Sequence, residues 1–300
     1  MSAVPSVTAD QHATLEARLA RFPAQQIRLA SQRAVSYREA DSADSSALPL
    51  VLLHGIGSGA RRRGCSSSRD SATTRRVLAW DAPGYGASTP VAAESPAAAD
   101  YASVLQEWLD ALGIERCVLL GHSLGAIIAG AFAVAHPQRV AGLLLLSPAG
   151  GYGAASAEVR DTKRDQRLAM LNELGPQGLA EKRSTNMLSA HASDEARAWV
   201  RWNMSRVIPH GYAQATHLLA NADLAGDPRA FLKGRINVAV GADDTITTPR
   251  SLRATRTGRG HQTAGRASRG VTPAISKHPP RTPRSSTRSV ARATDNGANE

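Results

Sequence analysis

The sequence predicts an α/β fold: a mostly parallel sheet covered by helices on both faces, with a helical insertion near one edge. Two observations carry this. Short continuous apolar runs, too brief for helices, alternate with stretches of helical spacing, the pattern of strands buried on both faces. Between Tyr152 and Asp227 the strand pattern stops and only helical segments follow one another.

Taken in order, Gln11–Phe22 has the spacing of a short helix, and Gln26–Leu29 and Ala34–Arg38 alternate as strands. Leu48–Leu53 is an apolar strand that runs into His54-Gly55-Ile56-Gly57, and Arg76–Trp80 is another that runs into Asp81-Ala82-Pro83-Gly84-Tyr85-Gly86. Over Ala97–Leu112, the residues Tyr101, Val104, Leu105, Trp108 and Leu112 recur at helical spacing, and Gly113 stops the helix. Cys117–Leu120 is a buried strand leading into Gly121-His122-Ser123-Leu124-Gly125, and Ala126–His136 is the helix after it. Val140–Leu146 and Ile236–Val240 complete the predicted sheet, while Leu168–Leu174, Glu195–Met204 and Tyr212–Leu219 are the helical segments of the insertion. Within the insertion, Trp199, Trp202 and Met204 read equally well as its core or as pocket lining. The expected organisation is therefore an N-terminal helical extension (1–24), an α/β core (25–151 and 228–250), a helical cap (152–227) and a basic tail (251–300).

Three hundred residues suit one large α/β domain with an insertion. No apolar run reaches membrane-spanning length, and Met1–Pro5 shows no basic-then-apolar leader. Two cysteines, Cys65 and Cys117, cannot build a disulfide framework, so the expectation is a cytoplasmic protein. The net charge of +11 is confined to two islands. Residues 251–300 carry ten basic and two acidic side chains, residues 61–76 six and one, and the remainder is close to neutral.

A strand that feeds Gly-x-Ser-x-Gly and then a helix has a chemical reason. The sharp turn lifts a serine hydroxyl above the sheet edge in a strained backbone conformation, and only small residues fit on either side. Gly121 and Gly125 meet that need around Ser123. A serine hydroxyl also requires a base, a carboxylate to orient the base, and N–H groups for the developing oxyanion. Leu124 follows the serine and Ile56 follows His54-Gly55 on another loop, so each is placed to offer a backbone N–H. Gly241-Ala242-Asp243-Asp244 ends a late strand and offers the carboxylate: Asp244 first, Asp243 as runner-up.

The order of these motifs resembles the α/β-hydrolase superfamily over roughly Gln26 to Pro249, and is most similar to its lactonase, esterase and carbon–carbon-bond hydrolase groups. The resemblance implies a serine nucleophile at Ser123, an acid at Asp244, an oxyanion hole from Ile56 and Leu124, flanking motif residues His54, Gly55, Gly121, His122 and Gly125, and a cap over the pocket. It implies no cofactor and no metal. The implied substrate is a small ester, a lactone or a ketone-activated carbon–carbon bond, with neither a specific nucleic acid nor a membrane as partner.

The chain departs from that pattern twice. The superfamily places its base in a Gly-His loop after the last strand, with a closing helix behind it, and nothing after Pro249 has that form. Residues 251–300 hold only Leu252, Val271, Ile275 and Val290 as large apolar residues, so the final strand and helix are expected to be missing and the tail disordered. His261 and His278 are its only histidines and hence the remaining candidate bases. In Arg61–Thr74 the superfamily's amphipathic helix is likewise absent.

A slipped reading frame explains both departures. Back-translating Gly270–Pro279 and reading from the last base of each codon permits Gly-His-Ala-Ser-Tyr-Leu-Glu-Ala-Pro without a break, which resembles the missing histidine loop. The same offset over Ala60–Thr74 permits Ala-Ser-Ser-Trp-Val-Gln-Gln-Leu-Ala-Gly-Leu-Gly-Asp-His, an amphipathic helix. The sequence thus leads to a hydrolase scaffold impaired by loss of its base, with a compensated frameshift at 61–74 and an uncorrected one after residue 249. The alternative is an inactive hydrolase-like protein whose basic tail binds nucleic acid or anionic surfaces. The tail lacks the interleaved aromatic residues and the recognisable module that such binding uses.

Overall fold

The computed structural model describes residues 9–41, 46–59, 75–224, 236–241, 243–244, 246–247 and 265–267. Its sheet has eight strands: β1 (Ala24–Arg28), β2 (Ala34–Ala40), β3 (Leu50–Leu53), β4 (Val77–Trp80), β5 (Cys117–His122), β6 (Val140–Leu146), β7 (Ile236–Gly241) and β8 (Gly265–Ala267). Their spatial order is β1-β2-β4-β3-β5-β6-β7-β8. β1 pairs antiparallel with β2, and β2 antiparallel with β4; every other pairing is parallel. All four residues of β3 and of β4 are buried, which is why these strands read as unbroken apolar runs.

The chain leaves β3 toward β4 on one side and returns through β5 on the other. The loops after β3 and β5 therefore open side by side at a switch point, the place where doubly wound sheets bind their ligands. Register fixes this juxtaposition, since Leu53, the last residue of β3, pairs with Gly121.

Helix α1 spans Ala9–Ala20, α2 Ala98–Ala111 and α3 Leu124–Ala135. α2 buries Tyr101, Val104, Leu105, Trp108 and Leu109 against the sheet, and Trp108 stacks edge-on with Tyr37 at 5.5 Å between ring centroids. Gly113, with φ of 66°, ends the helix where a side chain would be strained. α3 is apolar almost all round because it lies between β5, β6 and α2.

Between β6 and β7 the described residues form three helices: α4 (Ala157–Ser184), α5 (Asp194–Met204) and α6 (Pro209–Asn221). The sequence predicts only Leu168–Leu174 for the first of these. The structure shows a far longer helix, kinked where Gly175 adopts φ 61° and ψ −178° before Pro176. Its charged composition hides it from a search for apolar spacing; the capping bond from Val159 N–H to the Ser156 hydroxyl marks its start. α6 is fastened to the core. The Gln214 side-chain amide donates to the carbonyls of Val91 and Ala93, and that of Asn221 to Ser95 and Pro96. α1 lies on α5, with Leu15 and Leu19 packed against Ala198 and Trp202, and Arg38 of β2 holds its end through the carbonyls of Leu19 and Phe22.

One expectation differs in detail. The composition of the tail predicts no strand there, yet Gly265–Ala267 pairs with Ala239–Gly241 as β8. Parallel pairing needs only backbone groups along the β7 edge, and small or polar residues meet that need. The segment 61–74, the rest of 251–300 and the expected closing helix lie outside the described residues. Among the described residues, no helix is long and apolar enough to cross a membrane.

Candidate active site

Ser123 adopts φ 53° and ψ −115°, a backbone conformation that costs a non-glycine residue about 1–3 kcal/mol and persists only where its surroundings impose it. Three hydrogen bonds impose it here. The Ser123 N–H donates to the Leu146 carbonyl at 3.0 Å, and the Ser123 carbonyl accepts from Ala126 at 3.0 Å and from Ala149 at 3.2 Å. The flanking glycines have no room for a side chain. A Cβ on Gly121 would lie 2.6 Å from the Ala126 Cα, and one on Gly125 would lie 2.7 Å from the His54 carbonyl oxygen. The Ser123 hydroxyl makes no hydrogen bond with a described residue.

The neighbouring loop closes directly onto this turn: a Cβ on Gly55 would lie 3.1 Å from the Ser123 Cβ and 3.0 Å from the His122 ring. Neither the Ile56 nor the Leu124 N–H donates to a backbone carbonyl among the described residues. Two unused donors therefore flank the serine, one on each loop, and Leu124 adds the positive end of α3. The loop is rigid. His54 is buried with both ring nitrogens engaged, Nδ1 with the Gly55 carbonyl at 2.9 Å and Nε2 accepting the Ala82 N–H at 3.0 Å. Tyr85 donates its hydroxyl to the Ile56 carbonyl at 2.8 Å, which fixes the plane of the next peptide. Burial pushes the Tyr85 phenol well above its usual range, so it stays a donor. The spacing of Asp-Ala-Pro-Gly-Tyr-Gly marks a loop at the strand end, but only the β3–β4 pairing shows that its tyrosine braces Ile56.

Past β7, the Asp244 carboxylate accepts from the N–H groups of Ile246 and Thr247 at 2.9 and 2.8 Å and from the Thr247 hydroxyl at 2.7 Å. Asp243 is exposed and makes no such bond, which favours Asp244 of the two. Asp244→Ala is expected to cost about 1–2 kcal/mol through the loss of these bonds. A lowered thermal midpoint checks this, and an unchanged one refutes it. Among the described residues, no three His, Cys, Asp or Glu side chains converge as a metal site.

A sequence model of the alpha/beta hydrolase fold family matches residues 49–262, well over half of the chain. The chain belongs to the α/β-hydrolase family. Its match to the human "1-acylglycerol-3-phosphate O-acyltransferase ABHD5" is 38% identical over 109 residues, 35% of this chain and 31% of that protein. The Pseudomonas putida "2-hydroxy-6-oxononadienedioate/2-hydroxy-6-oxononatrienedioate hydrolase 2" is 41% identical over 111 residues, 36% of this chain and 38% of that protein. The matched part thus spans about a third of the length of these curated relatives. A thermophilic esterase from Thermogutta terrifontis superposes with a TM-score of 0.69 at 22% identity, over 81% of this chain and 88% of the esterase, a likeness of fold.

The described histidines are engaged or placed elsewhere. His54 is committed to its loop, His136 ends α3 and stacks on Phe132 at 4.9 Å, and His210 and His217 lie on α6. No described histidine bonds to Ser123 or Asp244. His261 and His278 lie outside the described residues. β8 ends at Ala267, paired with Gly241, three residues before Asp244. Two methionines come down from the insertion, Met204 and one that the sequence does not single out, Met187. A Cβ on Gly57 would lie 2.5 Å from the Met204 methyl and 3.5 Å from that of Met187. Of the two readings open for Trp202, the structure takes the core: it packs under α1 and the Arg206 guanidinium.

Proposed function

We propose that this chain is a serine-hydrolase scaffold for a small ester, lactone or ketone-activated carbon–carbon bond, and that it stands without its base. The strained turn at Ser123 carries the proposal. It sets a hydroxyl between two unused N–H donors, Ile56 and Leu124, at the switch point of the sheet. In the full reaction Ser123 Oγ attacks the acyl carbon, the two N–H groups hold the oxyanion, and Asp244 orients a histidine that takes the serine proton. Here α4, α5 and α6 act as a cap whose Met187 and Met204 exclude water above Gly57. The likeness to the P. putida hydrolase supports a substrate from this range.

The proposal extends to the gene. Residues 61–74 and those after 249 are read as shifted frames, and a base encoded in the other frame would fall at position 271, four residues beyond β8. The coding DNA tests this directly: codons that cannot encode the alternative peptides would sink it. For the protein, hydrolysis of a nitrophenyl ester is expected to stay at the level of the Ser123→Ala variant. Robust turnover that Ser123→Ala abolishes would overturn the missing base and promote His261 or His278.

A further inference from the structure

Helix α5 is apolar on two opposite sides. Ala198 and Trp202, four residues apart, share one side; Val200 and Met204 share the other, since two residues advance a helix by about 200°. All four are buried, so α5 needs cover on both sides. The core supplies one cover. Met204 belongs to the main apolar cluster and reaches Gly57 of the loop after β3, where a Cβ would lie 2.5 Å from its methyl. The other cover is α1, whose Leu15 and Leu19 pack on Ala198 and Trp202.

The grip of α1 is narrow. Among residues 13–20 only Leu15 and Leu19 are buried, one per turn. Arg18 pairs with Glu195, and Arg206 with Glu16 at 3.5 Å, and both carboxylates are exposed. The same Arg206 guanidinium lies 4.0 Å over the Trp202 ring, so Glu16 also holds the cation that covers this ring. At the core end, Arg38 of β2 donates to the carbonyls of Leu19 and Phe22. The Phe22 ring packs both on the α1–α5 cluster and on the sheet cluster of Leu50, Leu52, Val77 and Ala79. The helix thus runs from a fixed point on the sheet to a grip on the cap. It precedes β1, so its detachment breaks no strand pairing. Twelve residues are too few for a stable helix in water, so these contacts are what order it.

We propose that α1 is a strap on the cap: it holds α5 against the core so that Met204 closes over Gly57, and its release frees α5 and opens the way to Ser123. This rests on the assignment of the serine site above. The loop after β3 links the two, because Gly57 meets Met204 and a Cβ on Gly55 would lie 3.1 Å from the Ser123 Cβ. Two buried leucines and two surface ion pairs make a contact weaker than the sheet beneath it, and local opening begins at such contacts.

The test makes position 123 a reporter of access that needs no base: Ser123→Cys in the full chain, with Cys65→Ser, alkylated by iodoacetamide and read by mass spectrometry. Cys117, wholly buried in β5, is the internal control, because it reacts only when the sheet itself opens. Leu15→Ala with Leu19→Ala is expected to speed alkylation at position 123 at least about tenfold, with Cys117 still unlabelled. Amide exchange in α5 should rise in the same variant. A milder change keeps the leucines. Glu195→Arg should speed alkylation about threefold, and adding Arg18→Glu should reverse the gain.

Unchanged alkylation together with unchanged exchange in α5 would overturn the strap while leaving the serine site standing. Labelling of Cys117 in step with position 123 would overturn it as well, since α1 would then support the whole fold rather than the cap. A gain in Glu195→Arg that Arg18→Glu fails to reverse would overturn the grip of α1 on α5. Faster exchange in α5 without faster alkylation would overturn the placing of Ser123 beneath this cap, and this inference with it.

Discussion

Replacing residues 270–278 with Gly-His-Ala-Ser-Tyr-Leu-Glu-Ala-Pro, which puts Val271→His four residues past β8, is expected to raise ester hydrolysis by at least about a thousandfold. Removing the triad histidine from a well-studied serine protease costs about a millionfold in kcat, which sets the ceiling. The reason is geometric. β8 ends at Ala267 opposite Gly241, and the Asp244 carboxylate is already fixed by three donors of its own turn. A histidine four residues past β8 is expected to bond both the held carboxylate and the serine hydroxyl, which completes the relay. The gain must vanish in Ser123→Ala and fall steeply in Asp244→Asn. Restoring the alternative-frame peptide over residues 60–73 alongside it should increase the yield of folded protein without changing the dependence on Ser123. A restored chain that hydrolyses no faster than the original would remove the missing base from the account.

What can be read from the sequence divides by the range of the physics. The buried strands are legible because a run such as Leu50–Leu53 has to be apolar on both faces, and every residue of it is buried. Ser123, Gly121 and Gly125 are legible because a single turn sets their requirements, and Ile56 and Leu124 follow because each sits next to such a turn. The braces on the site are not legible. Tyr85 reaches Ile56, and Met187 and Met204 reach Gly57, only because sheet pairing and helix docking bring distant segments together. The kinked α4 exceeds its predicted length because its charged turns face solvent and its few buried apolar residues, Leu171, Leu179 and Ala180, are too sparse to mark a period.

Gly125→Ala is the second large effect, and it falls on stability rather than chemistry. The added methyl would collide with the Leu53 carbonyl and sit 2.6 Å from its carbon and 2.7 Å from the His54 carbonyl oxygen. These are backbone atoms of β3 and of the loop it feeds, so no side-chain rotation relieves the clash. Either α3 lifts away from β3 or the loop after β3 moves, and each choice breaks packing that is wholly buried. The cost is about 3 kcal/mol, at the upper end of overpacking in a core, which lowers the thermal midpoint by about 6–12 °C for a domain of this size. Gly150→Ala is the internal control. A Cβ there meets nothing within 4 Å, so the same chemical change should leave the midpoint within about 2 °C or raise it slightly. Equal midpoints for the two variants would mean that α3 does not press on β3 as closely as the structure shows. The strain at Ser123 would then lack the rigid support that keeps its hydroxyl between Ile56 and Leu124.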